Sequence, residues 1–137
     1  MALGGDSHGE QQQSCLANQA EGCVDVLVRE TFFPDVASGV IVEVGAASPD
    51  FLSLGNSFRG CGWRVISVEP NPIFAEMHRA LGHEIQEFAC GEEDRDDVSF
   101  FIAQARNLGF QYRGGEISYE SFSSLGIRGD FKKLFDT

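Results

Sequence analysis

Two acidic residues lie at or near the carboxyl ends of two β-branched runs, and small residues follow the first run. They are Glu43, in the run Val40–Val44 with Gly45, Ala46 and Ala47 after it, and Glu69, directly after the run Arg64–Val68. Small residues let a ligand approach the backbone closely. Glu69 lies 24 residues after Gly45, the separation at which nucleotide-binding α/β folds place an acid that accepts hydrogen bonds from ribose hydroxyls.

Short runs of this kind predict the strands that would position these acids. Four are expected: Val40–Val44, Arg64–Val68, a third near Glu84–Phe88 and a fourth at Val98–Ile102. The first is almost wholly apolar, as in a strand buried on both faces of a parallel sheet, and the second is also expected to be buried. Strands that alternate with helices predict a Rossmann-like α/β fold, a parallel sheet flanked by helices. Its ligands bind outside the carboxyl ends of the strands, which puts both acids on one rim.

Apolar residues at three- and four-residue steps and capping residues predict three helices. The first starts near Ser14, with the stripe Leu16, Ala20, Cys23, Val24, Leu27 and Val28. The second starts at Ser48 as cap with Pro49 in its first position, and the third has Asn71 as cap, Pro72 in its first turn, the stripe Ile73, Met77, Ala80 and Leu81, and Gly82 at its end. The N-terminus of the second helix would offer free N–H groups to a ligand carboxylate.

The chain has 137 residues and fits one domain. Residues 1–13 are polar and glycine-rich and are expected to be disordered, so the domain is expected to span residues 14–137. Beyond Ala103 the periodicity is lost, and Gly114 and Gly115 predict a loop.

The charge and the cysteines favour a cytoplasmic protein. With 21 acidic and 10 basic residues the net charge is -11, which disfavours nucleic acid and anionic membrane surfaces as partners. No signal peptide or membrane-spanning run is visible. Because the four cysteines form no C-x-x-C pair and no disulfide-rich secreted pattern, free thiols are expected.

Other candidate groups favour structural roles. The three histidines are scattered, and His78, within a helix, is expected at the surface or its boundary. The acidic run Glu92–Asp97 lacks the alternating spacing of a cation loop and predicts a solvated turn, and Cys90 predicts a buried thiol, so no metal site is expected. The two rim acids also have a structural alternative, in which Glu43 caps a helix or pairs with an arginine and Glu69 belongs only to a strand-to-helix turn.

The sequence resembles the N-terminal half of FkbM-type methyltransferases over about residues 32–103, and more loosely over Ser121–Leu125. The matching elements are Val42-Glu43-Val44-Gly45-Ala46, the segment Ser53–Ser57, Gly62-Trp63, and Glu69-Pro70-Asn71-Pro72. The family often has glycine where Pro49 stands. Its members continue into a further strand ending in an acidic D-v-E-G element that this sequence lacks, so the resemblance implies a fold of the class I methyltransferase type that is incomplete at its C-terminal end.

The resemblance implies S-adenosylmethionine as cofactor and methyl transfer to a hydroxyl of a small molecule or sugar, although this chain alone could be inactive. Glu43 and Gly45 would border the methionine end of the cofactor, with Ala46 and Ala47 in the same loop. Glu69 would hold the ribose, beside Pro70 and Asn71. Ala89 would lie near the adenine, and Asn56 would help to order the first loop. No catalytic base is identified.

Two other functions remain open. One is a non-catalytic Rossmann-like remnant or interaction module. The other is an NAD-dependent oxidoreductase, against which stand the missing G-x-G-x-x-G glycines and the acid two residues before Gly45.

Overall fold

A computed structural model describes residues 20–103, 109–112, 115–118, 121, 123 and 125. A short 3-10 turn at Glu21–Cys23 leads into the first helix. The helices are α1 (Val24–Phe32), α2 (Leu54–Gly60) and α3 (Pro72–Ala80). The strands are β1 (Val40–Val44), β2 (Arg64–Val68), β3 (Glu84–Gln86), β4 (Gly109–Tyr112) and β5 (Gly115–Ser118).

The expected α/β architecture is confirmed in its coarse form, a three-stranded parallel sheet with helices against it. The strand order is β1-β2-β3, and both pairs are parallel. Val44 pairs with Val68, and Val68 pairs in turn with Gln86. The carboxyl ends of the three strands therefore lie side by side, and the loops that follow them share one edge of the sheet.

The expectation that β1 is buried on both faces is wrong. Val40, Val42 and Val44 are 58%, 55% and 62% exposed, whereas Glu43, between two of them, is buried. Since side chains alternate along a strand, one face of β1 packs inward and the other is open. Helix α2 contacts both β1 and β2, which accounts for the covered face.

Trp63, just before β2, is the centre of the apolar core. Its ring makes edge-to-face contacts with Phe33 and Phe58 at centroid distances of 5.4 and 5.2 Å. A Cβ on Gly39 would stand 2.5 Å from the Trp63 ring, so only glycine lets the ring lie on the backbone before β1. This packing fixes the start of β1 against the start of β2.

Around helix α1, the predicted apolar stripe is buried only in part, at Ala20 and at Val28, which packs against the core, and two polar residues are buried beside it. Asp25 and Arg29, one turn apart, are buried, while Leu27 is 61% exposed. The guanidinium of Arg29 donates to Ser57 Oγ at 3.4 Å and to Cys61 Sγ at 3.0 Å. These polar groups at and after α2 explain why the arginine faces inward.

Helix α3 begins as predicted, but it buries a different face. Asn71 is the N-cap: its Oδ1 accepts the Ile73 N–H at 3.0 Å. The residues of α3 that are buried are Phe74, Ala75 and His78, whereas Ile73 is exposed. The apolar pattern did not predict this face because one of its buried residues, His78, is polar.

The chain after β3 differs from the sequence-based expectations. The strand predicted at Val98–Ile102 is absent, and only Phe101 takes part in an isolated bridge. Val98 and Phe101 are exposed, so little packing orders this run. The predicted loop around Gly115 is instead a hairpin, in which Tyr112 pairs with Gly115 across a two-residue connection.

The cysteines agree only in part with the sequence-based expectations. Cys61 is disulfide-bonded, so the expectation of free thiols is wrong for this residue; Cys23 and Cys90 are free, and Cys90 is exposed rather than buried.

The longest helices of the described ranges have 9 residues, whereas crossing a bilayer takes about 20. None of them could span a membrane. The predicted disordered segment, residues 1–13, lies outside the described residues.

Candidate functional site

The loop after β1 has a tightly specified backbone. Gly45 and Ala47 have φ values of 75° and 47°, in the left-handed region that disfavours residues other than glycine. The N–H groups of Gly45 and Ala46 both donate to the Val68 carbonyl, at 2.9 and 3.3 Å. A Cβ placed on Gly45 would meet no atom within 4 Å, so the space over this residue is open.

Glu69 connects this loop to the turn before α3. Its Oε2 accepts the Ala47 N–H at 2.8 Å, and its Oε1 accepts the Asn71 N–H at 2.8 Å. The residue is 6% exposed. Two of the roughly four acceptor positions of a carboxylate are therefore occupied by backbone donors, and about two remain.

Glu43 faces the N-terminus of α2. Its Oε1 accepts the Leu54 N–H at 2.9 Å. Burial raises the pKa of Glu43, and the N–H groups of Gly55 and Leu54 and the positive charge of Arg59 oppose that rise. Glu43 thus holds a helix end, the first of the two structural roles considered for it, and the positive charge of Arg59 acts on it.

The helix predicted to start at Ser48 starts at Leu54, with Ser53 as its N-cap residue. The left-handed φ value at Leu52 (57°) prevents a continuous right-handed helix from Ser48. Because the first N–H of α2 already donates to Glu43, this helix end does not offer that group to a ligand carboxylate. The expected start of this helix at Ser48 is wrong.

Asn56 and Arg59 on α2 hold the other side of the loop. Asn56 Nδ2 donates to the Pro49 carbonyl at 2.6 Å, and its Oδ1 accepts from Arg59 at 2.9 Å. Arg59 also donates to Ser67 Oγ on β2 at 2.8 Å. Burial lowers the pKa of Arg59, opposed by the negative charge of Glu43. One polar network thus runs from the loop through α2 to the sheet.

His78 is the site residue that the sequence interpretation misplaced. Its side chain is fully buried at 0% exposure. Its Nε2 lies 3.1 Å from the Ala47 carbonyl oxygen, and its Nδ1 lies 3.0 Å from Nδ1 of His83. Burial lowers the pKa of both imidazoles. The sequence signal that could have indicated this contact is the five-residue separation of the two histidines, which lie on either side of the C-terminus of α3.

The other proposed contact residues occupy the same edge of the sheet. Pro70 and Asn71 follow β2, and Ala89, which is half-buried, follows β3. Ser123, much later in the same chain, adds a contact. Its Oγ lies 3.4 Å from Asn71 Nδ2 and accepts the Ala103 N–H at 3.1 Å. The structure thus joins the loop after β1 to Glu69 and Asn71, and it engages both acids in backbone hydrogen bonds.

No family model, curated protein or solved structure matches this chain. The functional assignment depends on the residues and on their geometry.

Proposed function

We propose that this chain binds S-adenosylmethionine as the cofactor-binding part of a class I type methyltransferase, of the FkbM kind that the sequence resembles. The observation that carries the proposal is the 2.8 Å hydrogen bond from the Ala47 N–H to Glu69 Oε2. It joins, at one rim of the sheet, the two segments that the resemblance assigns to the methionine and ribose ends of the cofactor.

The residues present fit this ligand in two respects. The space over Gly45 is open, so a ligand can approach the backbone there. Glu69 keeps about two acceptor positions after its two backbone bonds, which is the number that two vicinal ribose hydroxyls need. When bound, S-adenosylmethionine would supply the electrophilic methyl group.

The protein's own contribution would be placement. The loop at 45–47 would position the methionine end of the cofactor, and Glu69 the ribose, at the rim where an acceptor hydroxyl can approach. Methyl transfer depends strongly on such proximity and alignment. The acceptor, a small molecule or a sugar, would approach outside the strand ends.

A second candidate is a non-catalytic α/β module. It is favoured by the engagement of both acids in the fold, Glu43 with Leu54 and Glu69 with Ala47 and Asn71. A nicotinamide dinucleotide has less support. Its pyrophosphate requires a helix N-terminus beside the first loop, and α2 begins only at Leu54, facing Glu43.

Thermal unfolding with S-adenosylhomocysteine, with NAD and with buffer alone separates these functions. A ligand that binds only the folded state raises the apparent stability. The proposal expects a rise in melting temperature with S-adenosylhomocysteine alone. A rise with NAD would favour the oxidoreductase, and no rise with either ligand would favour the non-catalytic module.

A further inference from the structure

The peptide of Ala47 is held on both sides by buried side chains. Its N–H donates to Glu69 Oε2 at 2.8 Å, and its carbonyl oxygen lies 3.1 Å from His78 Nε2. At this residue φ is 47°, a conformation that is costly for alanine. Such a backbone persists only where its surroundings hold it.

The hydrogen bonds define which nitrogen of each histidine carries the proton in the neutral pair. A carbonyl oxygen only accepts, so His78 Nε2 must carry a hydrogen. The Nδ1 of neutral His78 is then an acceptor. His83 Nδ1, 3.0 Å away, must in turn be the donor, which leaves its Nε2 unprotonated. The hydrogen bond at one ring nitrogen thus sets the role of the other.

The surrounding charges come from three elements. Arg59 of α2 lowers the pKa of His78, whereas Glu69 after β2 and Asp50 in the loop raise it. Burial is the largest influence on this pKa and favours the neutral ring, and the hydrogen bond to the Ala47 carbonyl, the next largest, opposes it. A neutral His78 that donates from Nε2 is therefore the form in which the Ala47 carbonyl is held.

We infer that His78 is a positioning residue of the proposed cofactor site: protonated at Nε2, and with Nδ1 accepting from His83, it holds the Ala47 carbonyl in place. The inference rests on the proposed function. His78 touches no ligand in this arrangement, because its side chain is fully buried. It acts through Ala47, whose peptide orientation determines how the loop at 45–47 faces the open space over Gly45.

A pair of amide variants tests the position of the donor. The amide nitrogen of glutamine can occupy the place of histidine Nε2, and that of asparagine the place of Nδ1. We expect His78→Gln to bind S-adenosylhomocysteine within about threefold of wild type. His78→Asn should bind about tenfold more weakly, the loss expected for one hydrogen bond. Since both variants place an amide in the same buried site, a merely structural role would not separate them in this order.

Nuclear magnetic resonance of isotope-labelled histidine in the wild-type protein supplies a readout that needs neither a ligand nor a variant. Long-range proton–nitrogen correlations should show His78 protonated at Nε2 and His83 at Nδ1. The opposite tautomer of His78 would overturn the inference whatever the variants do.

The outcomes separate this inference from the proposed function. If wild type binds S-adenosylhomocysteine and both folded variants bind equally well, the role of His78 is wrong and the proposed function stands. If wild type does not bind it, the proposed function fails, and the positioning role fails with it. Weaker binding by His78→Asn, retained binding by His78→Gln and the expected tautomers together support the role.

Discussion

The carboxylate of Glu43 stands where a side chain on Gly55 would have to go. A Cβ built on Gly55 would lie 2.6 Å from Glu43 Oε2 and 2.8 Å from Val65 Cγ1. Both neighbours are buried. This close approach places the acid of β1 against the first turn of α2.

Gly55→Ala should therefore destabilise the protein, although alanine is the better helix former. The gain in helix propensity is about 1 kcal/mol, while overpacking in a buried site costs about 1–3 kcal/mol. We expect a net loss of about 1 kcal/mol in the free energy of unfolding, measured by the denaturant midpoint. Gly91→Ala is the control, because its Cβ would meet only Glu93 O at 3.7 Å. A stabilised Gly55→Ala would contradict the packing described.

Asn71→Ala should destabilise α3 by about 1 kcal/mol, the usual cost of losing an N-cap. The lost bond is the one from the Ile73 N–H to Asn71 Oδ1, 3.0 Å long. Asn71→Ser, which keeps a capping oxygen, should recover most of the stability. Equal midpoints for wild type and Asn71→Ala in urea would mean that the cap contributes nothing.

The stability of the fold should fall as the solution becomes acidic. The folded-state pKa values of His78 and His83 lie below the ordinary 6.5. Below about pH 6.5 the unfolded chain therefore binds protons that the folded protein does not. The raised pKa of Glu43 acts in the opposite sense, since its contribution is present below the ordinary 4.5 and is lost as the pH rises.

Unfolding curves of wild type and a His78→Gln, His83→Asn double variant across this pH range isolate the contribution of the two histidines. The Glu43 effect is common to both proteins and cancels in the comparison. The double variant should lose less stability than wild type on acidification. An equal loss in both would show that the two histidines do not titrate with depressed pKa values.

Glu69→Ala should cost stability. It would leave the N–H groups of Ala47 and Asn71 without their acceptor. An unsatisfied buried donor costs about 1–3 kcal/mol, so a loss of about 2–3 kcal/mol is expected from the denaturant midpoint. Glu84→Ala removes an exposed acid instead and should change the midpoint much less. A tolerated Glu69→Ala would show that these two backbone hydrogen bonds contribute little to the stability of the fold.

The parts of the fold that were predictable are those in which local signals and packing agree. The β-branched runs at β1 and β2 and the Asn71-Pro72 start of α3 specify their elements locally. The start of α2 was not predictable, because the acceptor that receives the Leu54 N–H is Glu43, eleven residues earlier in the chain. His78 was missed for the same reason, since its partner Ala47 lies 31 residues away.

We propose that the rim formed by Glu69 and the loop at 45–47 binds the methyl donor. Calorimetric titration with S-adenosylhomocysteine tests it in wild type, in Glu69→Gln and in the control Glu84→Gln, each with its own unfolding curve. Saturable binding is expected in wild type and the control, and binding weakened by about 10- to 100-fold in Glu69→Gln, as for the loss of hydrogen bonds to a charged acceptor. Absence of binding by wild type, or equal affinity in folded wild type and Glu69→Gln, would show that this rim is not the binding site.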